Sequence, residues 1–385
     1  PVAVAERLVT ATVAENDIRT PLSTGTSPND GNADGSFTGD PGQIRGPATV
    51  SGSLASLVSY GADGAAAGGG FGLSTDFAGL TAQTLTSAGA TLSYAVNGNT
   101  LTATAGSGTA ARTVFTLEVQ PNGNYTLRLF DQLDHASGQG ANNLALDLSS
   151  VITATDADGD RITLSRGFTV NVTDDVPQLD GWLPSIGLVE EEALPGGNPE
   201  WPNLGTVVNG SVAGQAESGA DDPLTFSLNP VLGGLPALTS AGLAVTYAVS
   251  GNTLTATAGT GEAARPVFTL QLQPNGSYTF TLRAPIDHPA GDGENTRTLD
   301  LSSAIVATDR DGDALVLREA LSIKIIDDVP RVDLRGADTV AEDAVGTIAG
   351  TWNVQMGADQ PGAVVVRLGD QSHAIGTSIA VNVGG

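Results

Sequence analysis

Hydrophobic and polar residues alternate over short runs along this chain, with a period of two. That is the spacing of half-buried strands and not of amphipathic helices. In the stretch 114–120, Phe115, Leu117 and Val119 fall on one face and Thr116 and Glu118 on the other. Pro121-Asn122-Gly123 follows, and alternation resumes over 125–130. Asn-Gly between two alternating runs predicts a hairpin. Asn97-Gly98-Asn99 and Gly106-Ser107-Gly108 punctuate the strands before it, and 168–172 (FTVNV) predicts the last strand of the unit. About seven to nine short strands per unit indicate an all-β sandwich with Ig-like or cadherin-like topology.

The pattern then repeats. Residues 94–177 realign on 247–330 at a constant offset of 153 with no gap: YAVNGNTLTATAGSG meets YAVSGNTLTATAGTG, VFTLEVQPNGNYT meets VFTLQLQPNGSYT, and both copies end in DDVP. A third copy opens after Pro330. The organisation read from this is a first module over 1–177, a second over 178–330 and the start of a third over 331–385. The first carries an extra Gly/Pro/Ser/Asp-rich stretch, about 17–47, expected to be a long surface loop. With Pro1 at its head and no leader, the chain is expected to be a segment of something longer.

Charge changes the picture. Forty-two acidic residues face sixteen basic ones, a net charge of −26, and Lys324 is the sole lysine. No basic patch is on offer to a nucleic acid or an anionic membrane surface, so neither is expected as a partner. No apolar run reaches the roughly 18–20 residues of a helical membrane span, so no membrane insertion is expected. With no cysteine, disulfides and thiolate metal sites are excluded.

The carboxylates gather in four places. The first is Asp156-Ala157-Asp158-Gly159-Asp160, repeated as Asp309-Arg310-Asp311-Gly312-Asp313. Alternate carboxylates around a glycine turn resemble the first half of a calcium loop, without the distal Glu of an EF-hand. A plain Asp-Gly hairpin turn is the simpler reading, although three carboxylates so close repel one another. The second place is the module end, Asp174-Asp175 and Asp327-Asp328, each followed by Val-Pro. The third is a Glu near each module's start: Glu15, the run containing Glu190 and Glu191, and Glu342. The fourth is the GAD tripeptide carrying Asp63, Asp221 and Asp359. The expectation is that Asp174 and Asp175 face Glu190 or Glu191 and Asp221 across the junction between modules. Such an all-oxygen cage suits Ca²⁺ and lacks the His that Zn²⁺ or copper would favour.

ATDADGD followed by a strand and DDVP resembles the tandem extender modules of giant RTX-type adhesins exported by type I secretion. VNVTDDVP is similar to the calcium-binding linker of cadherins. The resemblance implies a secreted bacterial surface protein that serves in biofilm or cell attachment as a structural stalk. It would fold and stiffen in extracellular calcium, with adjacent modules of the same chain as its partners. Host-cell, glycan or other surface ligands would be met through other regions. The family's glycine-rich nonapeptide calcium repeats are missing here. A Ca²⁺-dependent glycan- or protein-binding adhesin domain is the rival reading, for which the 17–47 loop is the place to look.

Enzymatic chemistry finds no support. His135 and His288 follow Asp134 and Asp287 at equivalent repeat positions, but no activated-serine motif accompanies them. A structural hydrogen bond is their expected role. The acidic pairs lie in turns without the aromatic cleft a glycosidase needs, Trp182, Trp201 and Trp352 being scattered. Ice binding would need a regular threonine ladder, which is missing.

Overall fold

The computed structural model describes residues 1–18, 46–138, 140–180, 183–198, 202–289, 291, 293–335, 351–359, 365–368 and 371–374. Nearly all of the 17–47 loop, Glu342, Trp182 and Trp201 lie outside them.

The described chain is all-β and sandwich-like. In the first repeat, six strands form one antiparallel sheet in the spatial order Ala48–Ser53, Asn124–Leu129, Arg112–Val119, Thr100–Ala105, Ala90–Asn97, Thr86–Ser87. Facing it are two three-stranded sheets. One orders Asn143–Asp147, Phe168–Thr173 and Val9–Ala14; the other orders Arg161–Thr163, Ile152–Thr155 and Phe71–Leu73. The second repeat reproduces the plan, with Val207–Ser211 opening its six-stranded sheet and Leu321–Ile326 at the centre of one three-stranded sheet. The strands outnumber the seven to nine expected. Short 3₁₀ turns such as Ala55–Leu57 and Ser149–Val151 break longer extended segments into separate pieces.

The predicted hairpin forms: Arg112–Val119 pairs antiparallel with Asn124–Leu129 across the Asn-Gly turn. Gly123 sits at φ +89°, and a Cβ there would lie 2.8 Å from the Phe71 ring, so the turn requires glycine twice over. One register shift interrupts the alternation. Ala103 pairs with Phe115 but Thr104 pairs with Thr113, leaving Val114 as an extra residue, and both Val114 and Phe115 are buried. The second repeat bulges at the same place, between Ala256 and Thr257, and the bulge accommodates Pro266.

Each repeat closes its own core. Phe115, Leu117, Leu127, Phe168 and Val170 belong to the first, and Phe268, Phe280, Leu299, Leu321 and Ile323 to the second. The cores are nevertheless sealed by their neighbours. Ala220, from the second repeat, is fully buried in the first core, and Ala358, from the third, packs against the second.

One pairing governs where the acidic residues come together. The first long strand of each repeat runs parallel to the last: Val9 pairs with Phe168 and Ala14 with Thr173, and Ser185 pairs with Leu321 and Glu190 with Ile326.

Candidate metal centres

Because Val9–Ala14 runs parallel to Phe168–Thr173, its end lies beside the module's exit and not at its entry. Glu15 follows that strand and is therefore carried next to Asp174. The expectation that Glu190 or Glu191 faces Asp174 is overturned on the same ground. Ser185–Glu190 ends beside Ile326, so Glu191 belongs with Asp327, one junction further on. The residue facing Asp174 from within its own module is Glu15.

At the first junction, ligating atoms of Glu15, His135 and Asp174 lie within 4.8 Å of one another, as do those of Asp174, Asp221 and Asp311, and those of Asp309, Asp311 and Asp313. Asp174 and Asp311 link the three groups into one string that draws on both modules. Glu15 is fully buried; its Oε1 accepts a hydrogen bond from the Leu133 amide at 2.7 Å and its Oε2 has no partner. Asp221 is also fully buried, and neither carboxylate oxygen has a partner. Asp174 Oδ1, Asp309 Oδ2 and both oxygens of Asp311 are likewise unpartnered.

The other atoms of these side chains are tied into the fold. Asp309 Oδ1 accepts from the amides of Gly312 at 3.1 Å and Asp313 at 2.7 Å, which closes the turn. That turn docks on the first module: the Gly140 amide donates to Asp313 Oδ1 at 3.4 Å, and Arg310 Nη1 donates to the Ala88 carbonyl at 3.4 Å. Asp175 Oδ2 accepts the Ala220 amide at 2.8 Å and so fixes the neighbour of Asp221. Asp222, which the sequence did not single out, accepts from the Ser218 hydroxyl and from Arg310 Nε through its carbonyl.

The electrostatics record the crowding. Burial, then the charges of Glu15, Asp311, Asp174 and Asp309, push the Asp221 carboxyl up to about 12. Burial also pushes Asp174 up to about 8 against the pull of His135, and Asp309 up to about 8 with the help of Asp311. Glu15 is raised by burial, against the opposing influence of His135. Two full charges 4.8 Å apart in an effective dielectric of about 20 repel by about 3.5 kcal/mol. Several such pairs share this junction, so the carboxylates can all be ionised together only with a counter-charge among them.

The second junction repeats the pattern. Glu191, His288 and Asp327 form a group of the same kind; Glu191 Oε1 accepts from the Ile286 amide at 2.8 Å, and its Oε2 is unpartnered. Asp328 Oδ2 accepts from the amides of Asn198 at 3.0 Å and Ala358 at 2.7 Å, while its Oδ1 is free. Asp359 lies on the same turn with one side open to solvent, its carboxyl pushed up to about 7 by partial desolvation and by the charges of Glu191 and Asp327. A cavity of about 330 Å³ opens here beside Arg265, Asp287, His288, Asp327 and Asp359. Glu190 is not in the group; its Oε2 accepts the Leu204 amide at 2.9 Å.

At the opposite end of the first module, ligating atoms of Asp63, Asp156 and Asp158 form a third kind of group. It is open to solvent: Asp63, Asp158 and Asp160 are exposed, while Asp156 Oδ1 accepts the Asp160 amide at 2.8 Å and its Oδ2 pairs with the Pro1 amino group at 2.9 Å. Asp160 contributes no ligating atom to that group. The Asp-x-Asp-Gly-Asp motif is thus the same in both copies, and only the docked neighbour buries the second.

The two histidines change the expected chemistry. They do make the structural hydrogen bonds anticipated for them, but they also stand within the carboxylate groups, so the donor set is not purely oxygen. Their duplication at the 153 offset was the available signal. Asp134 and Asp287 instead hold turns, accepting the amides of Gly89 and Gly242.

Residues 12–167 match a family described as "Domain of unknown function (DUF5801)". That stretch takes in Glu15, Asp63, His135 and Asp156–Asp160 and ends before Asp174. No curated protein matches the chain, and no solved structure does.

Proposed function

We propose that this chain is a structural extender from the stalk of a secreted bacterial surface adhesin, and that Ca²⁺ bound between modules folds and stiffens it. The observation that carries the reading is Asp221: a fully buried carboxylate with no partner on either oxygen, set among Asp174 of the preceding module and Asp309 and Asp311 of its own. A divalent cation satisfies those oxygens, and the many carboxylates suit the six to eight hard ligands Ca²⁺ takes. Because the ligands come from two modules, the ion acts as a tie across the junction.

The energetics favour a switch. A site of ~10⁻⁴ M affinity in ~10⁻³ M Ca²⁺ gains only about 1.4 kcal/mol, but several sites add where they are independent. Without calcium, the repulsion estimated above works against docking. The chain would therefore be loose where calcium is scarce and rigid outside the cell.

The test is a thermal melt with small-angle scattering in EDTA, in millimolar Ca²⁺ and in Mg²⁺. A Ca²⁺-specific rise in melting temperature together with an increase in overall stiffness is the expected result. Indifference to Ca²⁺ would overturn the proposal.

A further inference from the structure

We infer that the corner formed by Glu15, His135 and Asp174, and its repeat formed by Glu191, His288 and Asp327, each take a first-row divalent transition ion with zinc's ligand preferences. At the first junction this corner shares Asp174 with the oxygen-only group proposed for calcium, but the histidine sets it apart, and the inference stands without that proposal.

Asn142 fixes the orientation of the His135 ring. Asn142 Nδ2 lies 3.0 Å from the Ala136 carbonyl, which can only accept, and 3.2 Å from Asp174 Oδ2. The amide is thereby fixed with Oδ1 turned to His135 Nδ1, 3.1 Å away, so Nδ1 carries the proton. The second repeat makes the same arrangement: Asn295 Nδ2 reaches Asp327 Oδ2 at 3.1 Å, and His288 Nδ1 lies 2.9 Å from Asn295 Oδ1. A histidine held by its Nδ1–H to an oxygen, with Nε2 presented inward, is the usual supporting arrangement of a metal-ligating imidazole.

Nε2 of each ring faces a buried glutamate. His135 Nε2 is buried without a hydrogen-bond partner and lies 3.5 Å from Glu15 Oε1; His288 Nε2 lies 3.3 Å from Glu191 Oε1. Nε2 opposite a carboxylate needs a positive charge between them, a proton in the metal-free chain or a metal ion in its place. A shared proton would draw the atoms to about 2.7–2.9 Å. Tetrahedral ligands on bonds of ~2.0–2.1 Å stand ~3.3–3.4 Å apart. The separation in the second repeat falls at the second distance, that in the first lies just beyond it, and both exceed the first. The unpartnered and buried Glu15 Oε2, Asp174 Oδ1 and Glu191 Oε2 supply further donors. Imidazole nitrogen with two carboxylates suits zinc-like ions and is foreign to calcium.

The experiment titrates the intact chain with Co²⁺ in millimolar Ca²⁺ and follows the visible d–d absorption. We expect about two Co²⁺ per chain, displaced by Zn²⁺, with His288→Gln leaving about one and the His135→Gln/His288→Gln double variant leaving none. The double variant should keep its melting shift in Ca²⁺, which shows it folded, and Asp311→Asn should keep its Co²⁺ spectrum. Absence of Co²⁺ absorption under these conditions, or a stoichiometry unaltered in the double variant, would overturn the inference. So would nitrogen NMR showing both imidazole nitrogens protonated in excess Zn²⁺.

Discussion

The amide of Ala220 donates to Asp175 Oδ2 at 2.8 Å, so a turn of the second module is gripped by the last residues of the first. The grip needs a glycine before it. Gly219 sits at φ +72°, and a Cβ there would lie 2.1 Å from that same carboxylate oxygen.

Gly219→Ala should therefore loosen the junction by about 1–3 kcal/mol while leaving both cores folded. Residual dipolar couplings would show the two modules losing their common orientation. A variant that keeps the wild-type couplings would refute the role given to the turn.

Asp221→Asn should act in opposite directions with and without metal. It removes a carboxyl that must take up a proton to be buried without metal, so in EDTA near neutral pH the melting temperature should rise, by an amount equivalent to about 1–3 kcal/mol. In Ca²⁺ it removes a ligand, and the calcium-induced shift should shrink. Parallel melts decide the matter; a fall in both conditions would mean that the carboxylate has a different role.

Acid should substitute in part for metal. Asp174 and Asp309 are raised to about 8 and Glu15 and Glu191 are raised too, so the folded apo chain holds protons that the unfolded chain releases near pH 4. Where the folded state binds more protons, stability falls as pH rises. His135, raised to about 9 by Glu15 against the larger lowering effect of burial, adds stability below about pH 6.5 that is lost through 9, the same sign. In EDTA the melting temperature should drop between pH 5 and 8. In Ca²⁺ the slope should flatten or invert, because the ion displaces the protons.

The two copies of the Asp-x-Asp-Gly-Asp turn should differ in weight. Asp311→Asn, at the enclosed junction, should diminish the calcium shift substantially, whereas Asp158→Asn, at the open end, should leave it nearly intact. Melts of the two variants side by side make the comparison, and equal effects would show that burial by the neighbour is immaterial.

Phe168→Ala should unfold one module ahead of the other. The ring is fully buried and lies 4.6 Å from Tyr125, centroid to centroid, so its loss should cost about 3–5 kcal/mol. Calorimetry should then resolve an early transition from the first core, with the second little changed. A single shifted transition would show the two cores to be one cooperative unit.

Much of this was legible in the residues. The alternation around Phe115, Leu117 and Val119 and the Asn122-Gly123 turn located a hairpin, since strand period and turn chemistry are local properties. Asp174, Asp221 and Asp311, which the structure brings together, stand out in the sequence as candidate ligands because their motifs recur. What could not be read was which end of a module each group reaches. Sequence reasoning puts Glu190 or Glu191 one junction too early and leaves Glu15 without a junction, because the parallel pairing of first and last strands is a long-range property with no local mark. The histidines were set aside as structural because their carboxylate neighbours, Glu15 and Glu191, are distant in sequence.

That parallel pairing has a mechanical consequence. The first strand enters at one end of the module and the last leaves at the other, side by side over six residue pairs from Val9–Phe168 to Ala14–Thr173. Tension on the chain pulls the two strands lengthwise past each other. Their hydrogen bonds are then loaded together in shear and must rupture almost at once, whereas an antiparallel hairpin pulled from its open end would unzip bond by bond. A protein so threaded resists stretching in the direction in which a tether under flow is drawn.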